Sequence, residues 1–273
     1  MKKTIYIIAA FVAAVSCSKN TPVPMREYSF ETVYTRAVIS NVGKFSWDKN
    51  DRIAVWNESG NAFVNFTSVA GKGVFSAMAP ADAHFEGSAF YPAGIPVSNQ
   101  EVNLPGSYAS ALEPEMAFPM HAVVQDGSKL LSFKHLGAMA NFSIIRFSPE
   151  ADHLEISSPG KKLSGAFQLS SGSSSIQEVQ VTEGSGSIKV AFTPGESTLS
   201  VTVPLPVGSY PLTIKLLKGE ETLLEVAGTE NLSFARAVFT RFRAIDANPV
   251  NAVPIELVKT ESYSLEEEDE LWD

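Results

Sequence analysis

From Tyr28 to about Ile245 the chain is a succession of short runs in which apolar or β-branched residues alternate with polar ones, each run closed by Gly, Pro, Asn, Asp or Ser. Period-two alternation turns one face of a strand inward and the other outward, and frequent turn formers fold the chain back on itself. In the first run Tyr28, Phe30, Thr32 and Tyr34 share one side, which predicts a strand with an aromatic face. Further runs are Arg52 to Trp56, Ala62 to Thr67, Gly73 to Met78, Ser88 to Tyr91, Leu131 to Phe133, Ala138 to Phe147 and Gly165 to Leu169. The last are Ile176 to Val181, Ser187 to Phe192, Thr198 to Pro204, Tyr210 to Leu217 and Thr222 to Ala227. Between these limits nothing reads as a long, capped helix, so βαβ units are excluded and antiparallel β-sandwiches are favoured.

Turn-rich connections divide this β region. Gln125-Asp126-Gly127-Ser128 separates two blocks, each large enough for a sandwich, and predicts an N-terminal domain over 17–126 and a C-terminal domain over 127–245. The polar segments Ser170 to Ser175 and Glu183-Gly184-Ser185-Gly186 read as loops inside the second block. Beyond Ile245 a tail over 246–273 changes character: Val253, Ile255 and Leu257 share one parity, Pro249 and Pro254 resist a central strand, and the end is acidic from Glu266 to Glu270.

The N-terminus carries an export signal. Lys2 and Lys3 precede an apolar run from Ile5 to Val15, too short to span a bilayer as a helix. Residues 1–16 therefore read as a signal peptide and lie outside the fold. The run ends Ala14-Val15-Ser16-Cys17, which resembles the lipobox of bacterial lipoproteins. This implies a lipid anchor at Cys17, with palmitate among its acyl chains. Residues 17–36 then comprise a polar, Pro-bearing tether and the first strand.

Composition removes several functional classes. Of 273 residues, 21 are Lys or Arg and 30 Asp or Glu, and no basic stripe interrupts a net charge of −9, so nucleic acid is not an expected partner. One cysteine permits no internal disulfide and no thiolate zinc site. His84, His121, His135 and His153 show no metal-ligand spacing. The chain has no Gly-x-Ser-x-Gly elbow, no phosphate-cradling loop and no dinucleotide fingerprint. A pair of carboxylates could serve a glycosidase, yet most acidic residues fall in turns or in the tail. Neither an enzyme, a metal nor a cofactor is expected.

The segment Phe45-Ser46-Trp47-Asp48-Lys49-Asn50-Asp51-Arg52-Ile53-Ala54-Val55-Trp56 resembles the opening motif of the fimbrillin family of anaerobic Gram-negative bacteria, with Asn50 where the family usually has Gly. Ala89-Phe90-Tyr91-Pro92, Pro119-Met120-His121-Ala122, Phe133 to Phe142 and Tyr210-Pro211-Leu212-Thr213-Ile214 follow in the family's order. The resemblance implies two transthyretin-like antiparallel β-sandwich domains in tandem, in a subunit of a cell-surface fimbrium reached through the outer membrane. It implies an Arg-specific protease acting at Tyr34-Thr35-Arg36-Ala37, cleaving after Arg36, with Arg26 a second candidate. It also implies other fimbrial subunits as partners, one of which fills the groove left by the strand carrying Tyr28, Phe30 and Tyr34.

The tail segment Val250 to Val258 is the expected donor, through Val253, Ile255 and Leu257. Three buried side chains do not offset the ordering of nine residues. Main-chain pairing must supply the remainder, and docking of Tyr263 and Leu265 would strengthen it. An alternative is an outer-membrane lipoprotein that binds a glycan or host ligand without polymerising, for which Trp56, Tyr91, Tyr108 and Trp272 are the candidate aromatics. The absence of acidic residues at Ser18-Lys19-Asn20 leaves a periplasm-facing location open.

Overall fold

The computed structural model describes residues 23–32, 47–113, 118–169, 179–228, 230–248 and 257–264. The elements that they form are β-strands. The first stretch gives β1 (Met25–Thr32), β2 (Arg52–Asn57), β3 (Ala62–Ser68), β4 (Val74–Pro80) and β5 (Phe85–Tyr91). Then come β6 (Pro96–Ser98), β7 (Glu101–Leu104), β8 (Ser107–Tyr108), β9 (Met120–Val124), β10 (Leu130–Leu131) and β11 (Lys134–His135). The second half begins with β12 (Ala138–Ile145), β13 (His153–Ser157), β14 (Ser164–Leu169), β15 (Val179–Ser185), β16 (Ser187–Ala191) and β17 (Thr198–Leu205). It continues with β18 (Gly208–Tyr210), β19 (Thr213–Lys218), β20 (Glu221–Ala227), β21 (Leu232–Phe234), β22 (Val238–Phe242), β23 (Ile245–Asp246) and β24 (Lys259–Ser264).

The first body is one eight-stranded sheet in the order β10-β1-β4-β3-β2-β5-β9-β11. Alternate residues of these strands, among them Phe30, Ile53, Phe66, Phe75, Ala89 and Met120, meet in a single apolar cluster. A sheet can do this only by curling over its own face, and the short β10, paired with β1 and lying beside β9, draws the two ends together. Trp47, in the segment Phe45 to Trp56, is buried there, edge-on to Phe75, Tyr91 and Phe133. Its neighbour Asp51 shapes the turn, accepting from the Asp48 amide at 2.6 Å and from the Tyr91 hydroxyl at 3.0 Å. Asn50 lies outside the left-handed region, so its turn does not require glycine.

The second body is a β-sandwich. The sheet β17-β12-β22-β24 faces the sheet β20-β19-β13-β16-β8, and Phe142, Ile144, Leu154, Val190, Val201 and Ile214 interdigitate between them. The all-β fold expected from the alternation pattern is therefore the fold observed.

A third sheet, β15-β14-β7-β6, joins the bodies: β7 leaves the first half of the sequence and pairs with β14 of the second. Beneath it Phe90, Ile95, Val102, Leu104, Leu136 and Phe167 form a separate apolar cluster. β8 likewise pairs with β16, while β10 and β11, beyond residue 127, belong to the first sheet. Hydrogen bonding thus crosses the 126/127 position in both directions. Glu183-Gly184-Ser185-Gly186, expected as a loop, is strand up to Ser185. At Gly184 a Cβ would lie 1.8 Å from the Ser164 carbonyl oxygen, so glycine permits the close approach of β14 that keeps this segment in the sheet.

Candidate assembly site

β1 occupies a distinctive place in the first sheet. It runs antiparallel to β4 from Met25 to Glu31, whereas β10 meets it only at Glu31 and Thr32. Among the described residues, no strand pairs with the other edge of Met25 to Phe30. The sequence sets the faces by alternation: Phe30 is buried at 4% exposure and Tyr28 half-buried, while Met25, Glu27, Ser29 and Glu31 face solvent.

The Phe30 ring packs edge-on to Phe66 at 5.1 Å and Phe85 at 5.8 Å, and Tyr28 meets Phe85 at 5.0 Å. The Tyr28 hydroxyl donates among three carbonyl oxygens, Pro80 and Ala81 at 3.0 Å and Ala83 at 3.3 Å. The exposed Arg26 guanidinium lies over the Tyr28 ring at 5.4 Å. β1 therefore closes an aromatic core from near the sheet margin. Tyr34, Arg36 and Ala37 lie outside the described residues, as does Cys17.

The other end of the chain adds an edge to the second body. β24 runs antiparallel along β22, and Leu257, just before it, is half-buried against the sandwich core. The Arg241–Glu261 ion pair at 3.1 Å and the Thr240–Ser262 hydroxyl pair at 3.3 Å hold β24 in place. Lys259 donates to the Ser233 carbonyl and lies 5.0 Å above the Phe234 ring, where burial lowers its pKa. Val253 and Ile255 lie outside the described residues. A cavity of about 390 Å³ opens between the end of β20 and the start of β24, lined by Gly228, Leu232, Leu257 and Lys259 among others.

Two further polar clusters lie among the described residues. Ser88 and His121 are buried together, His121 Nε2 lying 2.9 Å from Ser88 Oγ. Ser88 gives its own proton to the Asn99 carbonyl at 2.6 Å, so the imidazole must be the donor to Ser88. That is the reverse of a general base activating a nucleophile. Burial lowers the His121 pKa to about 4. Burial, with the Arg236 charge, lowers that of His135, stacked on Phe118 at 4.5 Å, to about 3.

Glu58, His84 and Glu86 bring three potential metal-ligand atoms within 4.8 Å of one another. His84 lies 3.2 Å from Glu86 and 3.7 Å from Glu58, all well exposed to solvent. Of the candidate stacking aromatics, Tyr91 and Tyr108 are buried and Trp56 is half-buried, edge-on to Phe63 at 5.0 Å. Trp272 lies outside the described residues. The carbonyls that receive the Tyr28 hydroxyl have no sequence signal, because backbone groups of any residue could converge there.

No protein-family model and no curated protein matches the sequence. Solved structures are similar to this chain. A candidate cell adhesion protein from Bacteroides ovatus ATCC 8483 superposes with a TM-score of 0.54 at 12% identity, covering 89% of this chain and all of its own. The tip fimbrial protein Mfa3 from Porphyromonas gingivalis, with C-terminal truncation, superposes at 0.42 with 10% identity, covering 88% of this chain and 100% of its own. The all-β architecture of this chain is thus shared with the solved Bacteroides ovatus structure.

Proposed function

We propose that this chain is a structural or accessory subunit, the tip position included, of a cell-surface fimbrium that serves adhesion. It is exported as a lipoprotein anchored through Cys17, cleaved after Arg36 by an Arg-specific protease, and joined to other subunits by strand exchange. One observation supports the reading: β1 closes an aromatic core yet, among the described residues, is bordered beyond β4 only by the two-residue β10. A strand so placed can leave at the cost of the two-residue β10 pairing while β4 to β11 stay joined, and its departure opens both an apolar groove and a row of unpaired backbone groups. Such an edge is a template for an incoming strand. Arg36 lies four residues beyond the end of β1, so a cut there would free the strand together with the lipid-bearing segment.

Intact cells treated with an Arg-specific protease provide the test. N-terminal sequencing is expected to find a surface product beginning at Ala37 that enters polymers, and removal of residues 246–273 is expected to abolish polymers while the monomer keeps its β-rich circular dichroism. Full resistance on intact cells, or equal polymerisation of processed full-length and truncated chains, would overturn the assembly route.

A further inference from the structure

At one end of the first body three turns bring carboxylates around a single imidazole. Glu58 opens the turn between β2 and β3, His84 immediately precedes β5, Glu86 lies on that strand, and Asp126 belongs to the turn after β9. The backbone fixes the first two turns against each other. The Glu58 amide donates to the His84 carbonyl at 2.8 Å, the His84 amide to Oδ1 of the buried Asn57 at 3.2 Å, and the Ser59 hydroxyl to the Asp82 carbonyl at 3.3 Å. His84 Nε2 then faces Glu86 at 3.2 Å and Glu58 at 3.7 Å, while Nδ1 faces Asp126 at 3.8 Å. Among the described residues, the ion pairs of these three carboxylates all go to His84, and no lysine or arginine pairs with them.

We propose that Glu58, His84 and Glu86 bind a divalent transition-metal ion of the zinc class, through His84 Nε2 and one oxygen of each glutamate, with a fourth position open to water. Metal–donor distances of about 2.0–2.2 Å place tetrahedral donors about 3.3–3.6 Å apart. The two separations measured from Nε2, 3.2 and 3.7 Å, bracket that edge. The two glutamate oxygens lie within 4.8 Å of each other on exposed side chains, so rotation closes the third edge. An imidazole with two carboxylates suits zinc rather than calcium or magnesium, which take oxygen ligands. Asp126 supplies the outer partner that metal-ligating histidines use: a proton on Nδ1 faces its carboxylate and leaves the Nε2 lone pair toward the glutamates. The other histidines lack this setting. His121 and His135 are buried, and the Asp152 carboxylate beside His153 already accepts from the Gly219 amide at 3.0 Å. Sequence spacing hid the site, because its ligands come from two turns that only strand pairing brings together. A bound ion would clasp those turns.

Zinc chloride titrated at pH 7 into the full chain, stripped of metal by a chelator, tests the site through the imidazole nitrogen-15 resonances. The His84 Nε2 signal, assigned by its loss in His84→Gln, is expected to move and saturate as a single site while the His153 signals stay in place. The thermal midpoint is expected to rise with zinc concentration, and that rise to vanish in His84→Gln. Glu58→Gln and Glu86→Gln are each expected to weaken binding at His84 by about tenfold or more, and Asp126→Asn by about tenfold through loss of the outer partner. The four side chains are 43% or more exposed, so these variants keep the fold, which circular dichroism checks. An unmoved His84 signal, equal affinity at His84 and His153, undiminished binding in both glutamine variants, or displacement of zinc by an equal concentration of calcium would each overturn the site.

Discussion

The Tyr28 hydroxyl faces three carbonyls with one proton, so its hydrogen bond is shared among them, whereas Phe30 acts through its ring alone. Tyr28→Phe is expected to cost about 1 kcal/mol, the net value of one hydrogen bond. Phe30→Ala is expected to cost about 3–5 kcal/mol through the cavity left between Phe66 and Phe85. Urea midpoints measured on the unprocessed chain check the order, and the reverse order would mean that β1 does not seal the core. The buried histidines set a pH dependence. His121 and His135 stay neutral in the fold, with pKa values lowered to about 4 and about 3, while the unfolded chain takes up protons near the ordinary value of about 6.5. The folded state binds fewer protons in that window, so stability is full above it and falls as the pH drops from 6.5 toward 4 and then 3. Denaturant midpoints at pH 7 and pH 5 are expected to show the loss, and His121→Gln to reduce it. An unchanged pH slope in that variant would mean that His121 is not the group responsible. None of this was legible in the sequence, where each histidine was a residue without metal spacing. Burial is a property of the surroundings.

Among elements, the long strands announced themselves. Arg52 to Trp56 became β2 and Thr198 to Pro204 became β17, each within a residue of its expected end, because short apolar and β-branched runs bounded by turn formers read as strands even where both faces are covered. The short strands did not, since two residues such as β8, β10 or β11 hold too little pattern to show a period. Yet these pieces direct the architecture: β10 borders β1, and β8 ties the first half of the chain to the second. The joining sheet was likewise hidden, because Pro96 to Leu104 is not among the expected strands and only its partner reveals its use. Phe167 is fully buried in the cluster beneath that sheet. Phe167→Ala is expected to lower stability by about 3–5 kcal/mol and to split one calorimetric transition into two. A loss below about 1 kcal/mol with a single transition would show that the joining sheet does not couple the bodies.

For the whole molecule, the joining sheet makes the two bodies interdependent. A fragment cut at 126/127 would strip β7 from β14 and β8 from β16, and would take β10 and β11 from the first sheet. Neither residues 23–126 nor residues 127–248 are expected to fold alone, as judged by dispersed amide resonances, whereas co-expression of the two is expected to restore them. A well-dispersed spectrum from either piece alone would show that the bodies are autonomous. The sequence by itself determined the all-β class, the inward faces of the longer strands and the acidic composition of the tail, because alternation, turn formers and charge are local properties written residue by residue. Only the tertiary structure decided which strands pair, that β1 lies one strand from the margin of a curled sheet, and that β7 bridges the halves. Strand pairing joins backbone groups that every residue carries, and packing alone selects among the registers they allow.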